Sequence, residues 1–396
     1  MTHEIFIVSA RRTAIGTFGG SLKDHAPSGL GALVARAALA DSAAPPDAVG
    51  HVVFGQVIPT APRDAYLARV VGIETGLPKE TPALTVNRLC GSGLQAILTA
   101  ANMLMLGDAD IAIGGGAEVM SRAPFYAPSV RFGQKMGDAL LVDGLNGALE
   151  DPFDRFLMGV TAENVADRHG ISRDAQDALA LESQRRAGRA IAEGRFAAQI
   201  VPVEVHKGRE ATVFDTDEHV RANTTLDELT RLRPIFRKEA GTVTAGNASG
   251  INDGAAAVVL ATARAVKDHG LSPIARLVSY GHAGVDPGLM GIGPVPATRI
   301  ALQRAGLSAG DLDVIESNEA FAAQACAVAR ELGLDPARTN PNGSGISLGH
   351  PVGATGAIIV TKLLHELRRT SGRFGLATMC IGGGQGIAAV FERVGA

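Results

Sequence analysis

The chain has no tryptophan, and aromatic residues make up 4% of it against 46% hydrophobic residues overall. A core for 396 residues must therefore be built from Ala, Val, Ile and Leu, which suits sheets covered by helices and a length that asks for two or three domains. Cysteine is scarce. Cys90, Cys326 and Cys380 are far apart and form no CxxC pair, which speaks against a disulfide framework and against a Cys-His-Cys zinc site. Reduced thiols are expected, and with them a cytoplasmic setting. The formal net charge is -3, so there is no global basic field for nucleic acid or an anionic membrane. The opening MTHEIFIVSARRTAIG has no apolar segment of signal-peptide length, and nothing later reads as a membrane span. No metal and no permanently bound cofactor is expected.

What is present is alternation. IFIVSA reads as a strand, SGLGALVARAALADSA as a helix, VGHVVFGQVI as a strand, AYLARVVGIETG as a helix, PALTVN and ADIAIGGG as strands around a helix from Gly91. This is an α/β pattern of layered sheets with covering helices. Near Ser121 the pattern stops, and a Gly-, Pro- and Asp-rich stretch leads into a long polar helix whose expected N-cap is Ser172. From ARLVSYGHAG the alternation resumes. Gly-Ser-Gly, a helix and a strand ending in three glycines occur in both halves, closing on IAIGGGAE and on FGLATMCIGGGQG, which indicates an internal duplication.

Four residues fall at strand ends beside small neighbours. Cys90 stands between LTVN and the helix-like GSGLQAILTAANML. It is either packing material or a nucleophile whose thiolate is favoured by the positive end of the helix. Cys380 closes a buried strand at IGGGQG, where glycines leave N–H groups free as oxyanion donors or simply make a tight turn. His350, in SGISLGHPVGATGA, lies in a loop feeding a helix. Asn318, in SNEAF, is either an N-cap or a holder of water. Cys326 sits at helical spacing on an apolar face and reads as core. A cysteine pair, a histidine and an asparagine at one face of an open sheet suit acyl transfer.

The motifs NRLCGSGLQA, TAENVA, GTVTAGNASGINDGAAA, MGIGPVPA, NEAFAAQ, NPNGSGISLGHPVGATGA and CIGGGQGIA resemble, nearly letter for letter and in order, those of the thiolases, in particular bacterial β-ketothiolases. The resemblance covers essentially the whole chain. It implies the thiolase fold: two βαβαβαββ halves in an α-β-α-β-α arrangement, residues 1–120 plus 251–272 and 273–396, with a loop domain over 121–250. It also implies reversible condensation of acetyl-CoA with a second acyl-CoA to 3-ketoacyl-CoA. Cys90 would carry the acyl group, His350 would activate it, and Cys380 would move the α-proton of the second substrate. Asn318, through a water, would join His350 at the enolate oxygen, and N–H groups of Cys90 and Gly382 would form the oxyanion hole. Ser249 resembles the contact to the pantetheine arm and Arg221 that to the nucleotide end of CoA, while Leu157, Met158, Met290, Phe321 and Phe236 would line the substrate pocket. The partners implied are acetyl-CoA, acyl-CoA and CoA, in a homotetramer. One position departs: RFLMGVTAENVA carries Leu157 where biosynthetic thiolases have histidine, which adds apolar surface beside the acyl region and favours longer 3-ketoacyl chains.

Overall fold

The computed structural model describes residues 4–208 and 210–395. The first half orders its strands Ile5–Thr13, Asn252–Thr262, Ile111–Val119, Val49–Gly55 and Ala83–Val86, the first two pairings antiparallel and the last two parallel. The second half repeats the pattern with Ala275–Gly284, Gln385–Arg393, Phe374–Ile381 and Val314–Ser317: two antiparallel pairings, then one parallel. Order and direction match from one half to the other, as the duplicated glycine signals lead one to expect. The halves meet where Phe6 and Ile7 pair with Arg276 and Ala275, so one continuous order runs through nine strands of the sheet, with two short strands, Gly16–Thr17 and Ile200–Val201, pairing off it.

Between the halves lie the helices Ser92–Leu106 and Val352–Thr370, packed on one another. Their close approach is a matter of missing Cβ atoms. A Cβ on Gly356 would stand 2.2 Å from the Leu94 nitrogen, and one on Gly93 2.7 Å from that of Ala357. The Val352–Thr370 helix is buried on nearly every side, touching strands of both halves. Pro27–Ser42 and Leu67–Thr75 cover the outside of the first half and Pro294–Ala305 that of the second, which completes the five layers. One sequence expectation needs correction. The window Leu89–Leu106, with mean hydropathy 1.4, is long and apolar enough for a membrane span; here it contains the 15-residue helix Ser92–Leu106, one face of which packs in the core.

The stretch after Ser121 holds only short elements until the helices Met158–His169 and Arg173–Ala192, the latter capped by Ser172 as expected, its hydroxyl accepting from the Ala175 N–H. A buried ion pair ties this region to the first strand. Arg12 donates to both carboxylate oxygens of Asp217 at 2.7 and 2.9 Å, and Asp217 also accepts from the Ile15 N–H. Both side chains are fully enclosed. Arg12→Met would strand a buried carboxylate, so its urea midpoint is expected to fall by an amount equivalent to about 3–5 kcal/mol. A loss below about 1 kcal/mol, the range of an exposed pair, would contradict that picture.

Candidate active site

Cys90 lies on the turn between the strand Ala83–Val86 and the helix beginning at Ser92. The turn is tightly held. The Arg88 N–H donates to Ser92 Oγ, the Ser92 hydroxyl donates to the Leu89 carbonyl, and Leu89 adopts a positive φ of 44°, unusual for a branched residue. Such strain persists only where surrounding structure imposes it, and here it presents the next side chain, Cys90.

Burial pushes the Cys90 thiol up to about 11, although N–H groups of Gly382 and of Cys90 itself donate to it and pull the other way. This corrects the expectation that the helix end favours thiolate: desolvation outweighs the dipole, so the thiol needs a base. The same two N–H groups can hold the oxygen of an acyl group on this sulfur. Cys380 is buried, its thiol pushed up first by desolvation and then by the neighbouring Cys90. The two sulfurs therefore face one site.

His350 is buried, and desolvation brings its pKa down to about 4, so the ring is neutral. Its tautomer follows from its partners. The Thr355 hydroxyl donates to the Pro351 carbonyl at 2.9 Å, so its oxygen accepts from His350 Nδ1–H at 2.6 Å. Nε2 is left with its lone pair, facing the Asn318 amide at 3.4 Å. A neutral imidazole whose unprotonated Nε2 has only this long contact with the Asn318 side-chain NH2 can act as a base. The loop is placed by Asn252, whose Oδ1 accepts from the His350 N–H at 2.9 Å and leaves room only for glycine at 349, where φ is 106°.

Asn318 is not an N-cap, because the following helix starts at Ala322 with Phe321 before it. Its N–H donates to the Thr378 carbonyl at 3.0 Å, two residues before Cys380, and its Oδ1 is buried with no partner among the described residues. An enclosed amide oxygen of this kind suits a bound water.

Around Cys380 pack Met158, Met290, Ala320 and Phe321. Phe236 meets Phe321 edge to face, with ring centroids 6.2 Å apart. Leu157 is not in this group: it stands before the Met158–His169 helix, 40% exposed, so its effect on the pocket would be at the rim rather than in the wall. Ser249 donates its N–H to the Ala320 carbonyl at 2.9 Å, adjoining the pocket. Arg221 lies away from the sulfurs, in a surface groove of about 780 Å³ shared with His219, Gly246 and Gly250. Gly250 follows Ser249, so groove and pocket are consecutive along the chain. Cys326 is half-buried, packed beside the Ala162 and Val165 cluster, and belongs to a different region. Sequence reading missed Thr355 and Asn252, both inside quoted motifs, because only the fold shows which way a loop histidine points.

Residues 5–264 match the profile of the thiolase N-terminal domain and residues 271–393 that of the thiolase C-terminal domain. Beta-ketothiolase BktB of Cupriavidus necator is 67% identical over 395 residues, covering 100% of each chain. An acetyl-CoA acetyltransferase of the same organism is 50% identical, covering 98% of this chain and 99% of that one. A crystal structure of human mitochondrial 3-ketoacyl-CoA thiolase in complex with CoA matches with a TM-score of 0.96 at 46% identity, over 100% of this chain and 99% of that one. The chain belongs to the thiolase family.

Proposed function

We propose that this acyltransferase is a β-ketothiolase in which Cys90 and Cys380 divide the reaction between them. In the condensing direction, Cys90 passes its proton to His350 Nε2 and attacks the thioester carbon of an acyl-CoA; the C–S bond to CoA breaks and CoA leaves as the thiol. His350 gives that proton to the departing CoA sulfur and then takes the Cys380 thiol proton, and the Cys380 thiolate takes an α-proton from acetyl-CoA. The resulting enolate attacks the acyl carbon on Cys90, forming the new C–C bond and breaking the C–S bond to Cys90, whose sulfur recovers its proton from His350. Thiolysis runs the same steps backwards. The observation that carries this reading is a half-buried Cys90 thiol that receives the N–H groups of Gly382 and of Cys90 itself and that acts on the buried Cys380 thiol, in a chain that also holds His350 as a neutral imidazole. Neither thiol ionises by itself, so each needs a base, which this reading assigns to His350.

Asn318 with a bound water and His350 face the enolate oxygen, while N–H groups of Cys90 and Gly382 face the acyl oxygen. Ser249 receives the pantetheine arm, Arg221 the nucleotide end, and Met158, Met290, Phe321 and Phe236 the acyl chain. CoA thioesters are substrates, and no cofactor stays bound. The working assembly is a homotetramer in the cytoplasm, with residues 121–250 as the loop domain inserted into the first thiolase half. Support for assembly comes from the 125–142 segment, where Phe132 and Met136 are 92% and 89% exposed. A single-chain mass by light scattering would overturn it.

Chain length is where Leu157 bears. An apolar rim beside Met158 favours longer 3-ketoacyl chains over acetoacetyl-CoA. In thiolysis over a series of chain lengths, Leu157→His is expected to lower kcat/KM for six-carbon and longer substrates by about 10-fold while sparing acetoacetyl-CoA, the scale of one or two methylenes of contact. If native protein and variant both prefer acetoacetyl-CoA equally, Leu157 is neutral and the enzyme is an acetoacetyl-CoA thiolase.

A further inference from the structure

Glu118, near the end of the strand Ile111–Val119, is fully enclosed, and among the described residues it pairs with no Lys or Arg. Its partners are backbone. Oε2 accepts from the N–H groups of Val57 and Gly353, both at 2.9 Å, and Oε1 from that of Ile58 at 3.1 Å. Gly353 is in the first turn of the Val352–Thr370 helix, three residues after His350 and two before Thr355, which holds the imidazole. A Cβ at 353 would stand 2.4 Å from Glu118 Oε2, so the acid occupies the space that this glycine leaves. On the other side, Val57, Ile58 and Val352 pack in the apolar cluster that includes Cys90. One carboxyl thus joins the floor under the nucleophile to the turn that aims its base.

We propose that Glu118 is a positioning residue for the acyl-transfer step, pinning the Val57–Ile58 segment to the first turn of the helix after His350 and so holding Cys90 and His350 in register. The assignment rests on Cys90 as acyl carrier and His350 as its base. Burial, with Asp64 adding to it, pushes the Glu118 carboxyl up to about 8. The ionisable groups that act on it or feel it are Asp64 and the Cys90 thiol, whose ionisation its charge opposes. The carboxyl is therefore mostly protonated at neutral pH and charged only above about pH 8; glutamine at this position keeps the shape, carries no charge at any pH and loses acceptor capacity for the N–H groups.

The test is Glu118→Gln in the full-length enzyme, read three ways: the CoA burst from acyl-CoA, the KM, and the rate at which iodoacetamide alkylates Cys90, followed by peptide mass spectrometry. Positioning predicts a burst and an alkylation rate each slower by about 10- to 100-fold, with KM within about threefold, because a small misplacement costs rate more than binding. Read at about pH 9, where the native carboxyl is ionised, removal of the charge alone would instead speed alkylation, and a purely structural role would lower thermal stability while leaving both rates unchanged; either result overturns the proposal. Should the glutamine protein not fold, Glu118→Asp, which keeps the charge and shortens the reach, carries the same test: slowed alkylation at unchanged KM supports positioning, and wild-type rates overturn it. Because alkylation needs no turnover, a wild-type enzyme without a burst would refute the reading of Cys90 as acyl carrier while the alkylation rates still decide the role of Glu118.

Discussion

The Cys90→Ala protein is expected to take up no acyl group and to lose turnover in both directions by at least about 10,000-fold, the scale seen when a covalent nucleophile is removed. No other group at the site can substitute. Cys380 is more deeply buried, and its thiol is pushed up both by desolvation and by Cys90. Intact-mass measurement after acetyl-CoA addition checks this: one acetyl group per chain on the native protein, none on the variant. An adduct of equal amount on Cys90→Ala would refute the assignment. The pH dependence of native acylation follows from the same geometry. His350 has a folded pKa near 4, below the ordinary histidine value, so it stays deprotonated and able to accept down through pH 6. The burst rate is therefore expected to hold its plateau to about pH 5 and to fall only as His350 protonates below that. A half-maximal rate near pH 6.5 would mean that the imidazole titrates as if exposed.

Cys380→Ser is expected to separate the half-reactions. Acylation of Cys90 should remain within about threefold of native, while carbon–carbon bond formation slows by about 100- to 10,000-fold, the usual range for a missing general acid or base. A serine hydroxyl fits the space left among Met158, Met290 and Ala320 but does not ionise in the accessible range. Exchange of the acetyl-CoA methyl protons with D2O, followed by NMR, reports the step directly. Native enzyme should exchange them and the serine variant should not. Exchange at the native rate in Cys380→Ser would remove Cys380 from the proton transfer and leave His350 as its agent.

The elements that run on local chemistry were legible before the fold was known. ARLVSYGHAG is the strand Ala275–Gly284 residue for residue, and SRDAQDALALESQRRAGRAIAEG contains the helix Arg173–Ala192 with Ser172 as its cap. Alternation, caps and glycine turns act over a few neighbours, so a single sequence carries them. The same holds for the placing of Cys90, Asn318 and Cys380 at strand ends; His350 departs from it, lying between the short helix Gly345–Leu348 and the helix Val352–Thr370. Their company was not legible. Cys90 and Cys380 are separated by most of the chain, and only the crossing of the Ser92–Leu106 and Val352–Thr370 helices brings their loops together.

Electrostatics divided along the same line. From sequence, Cys90 before a helix suggests a lowered thiol pKa, because the helix end is a local feature. Desolvation depends on everything packed around the group, and it reverses the direction. Leu157 and Met158 are adjacent in sequence, yet one is at an exposed rim and the other against Cys380. Read alone, the chain yields the α/β class, the duplication, the thiolase resemblance and the residues proposed to carry the chemistry. Their protonation states, the orientation of His350 and the burial of Glu118 between the Val57–Ile58 segment and the helix after His350 come from the tertiary structure, because they depend on contacts between segments far apart along the chain.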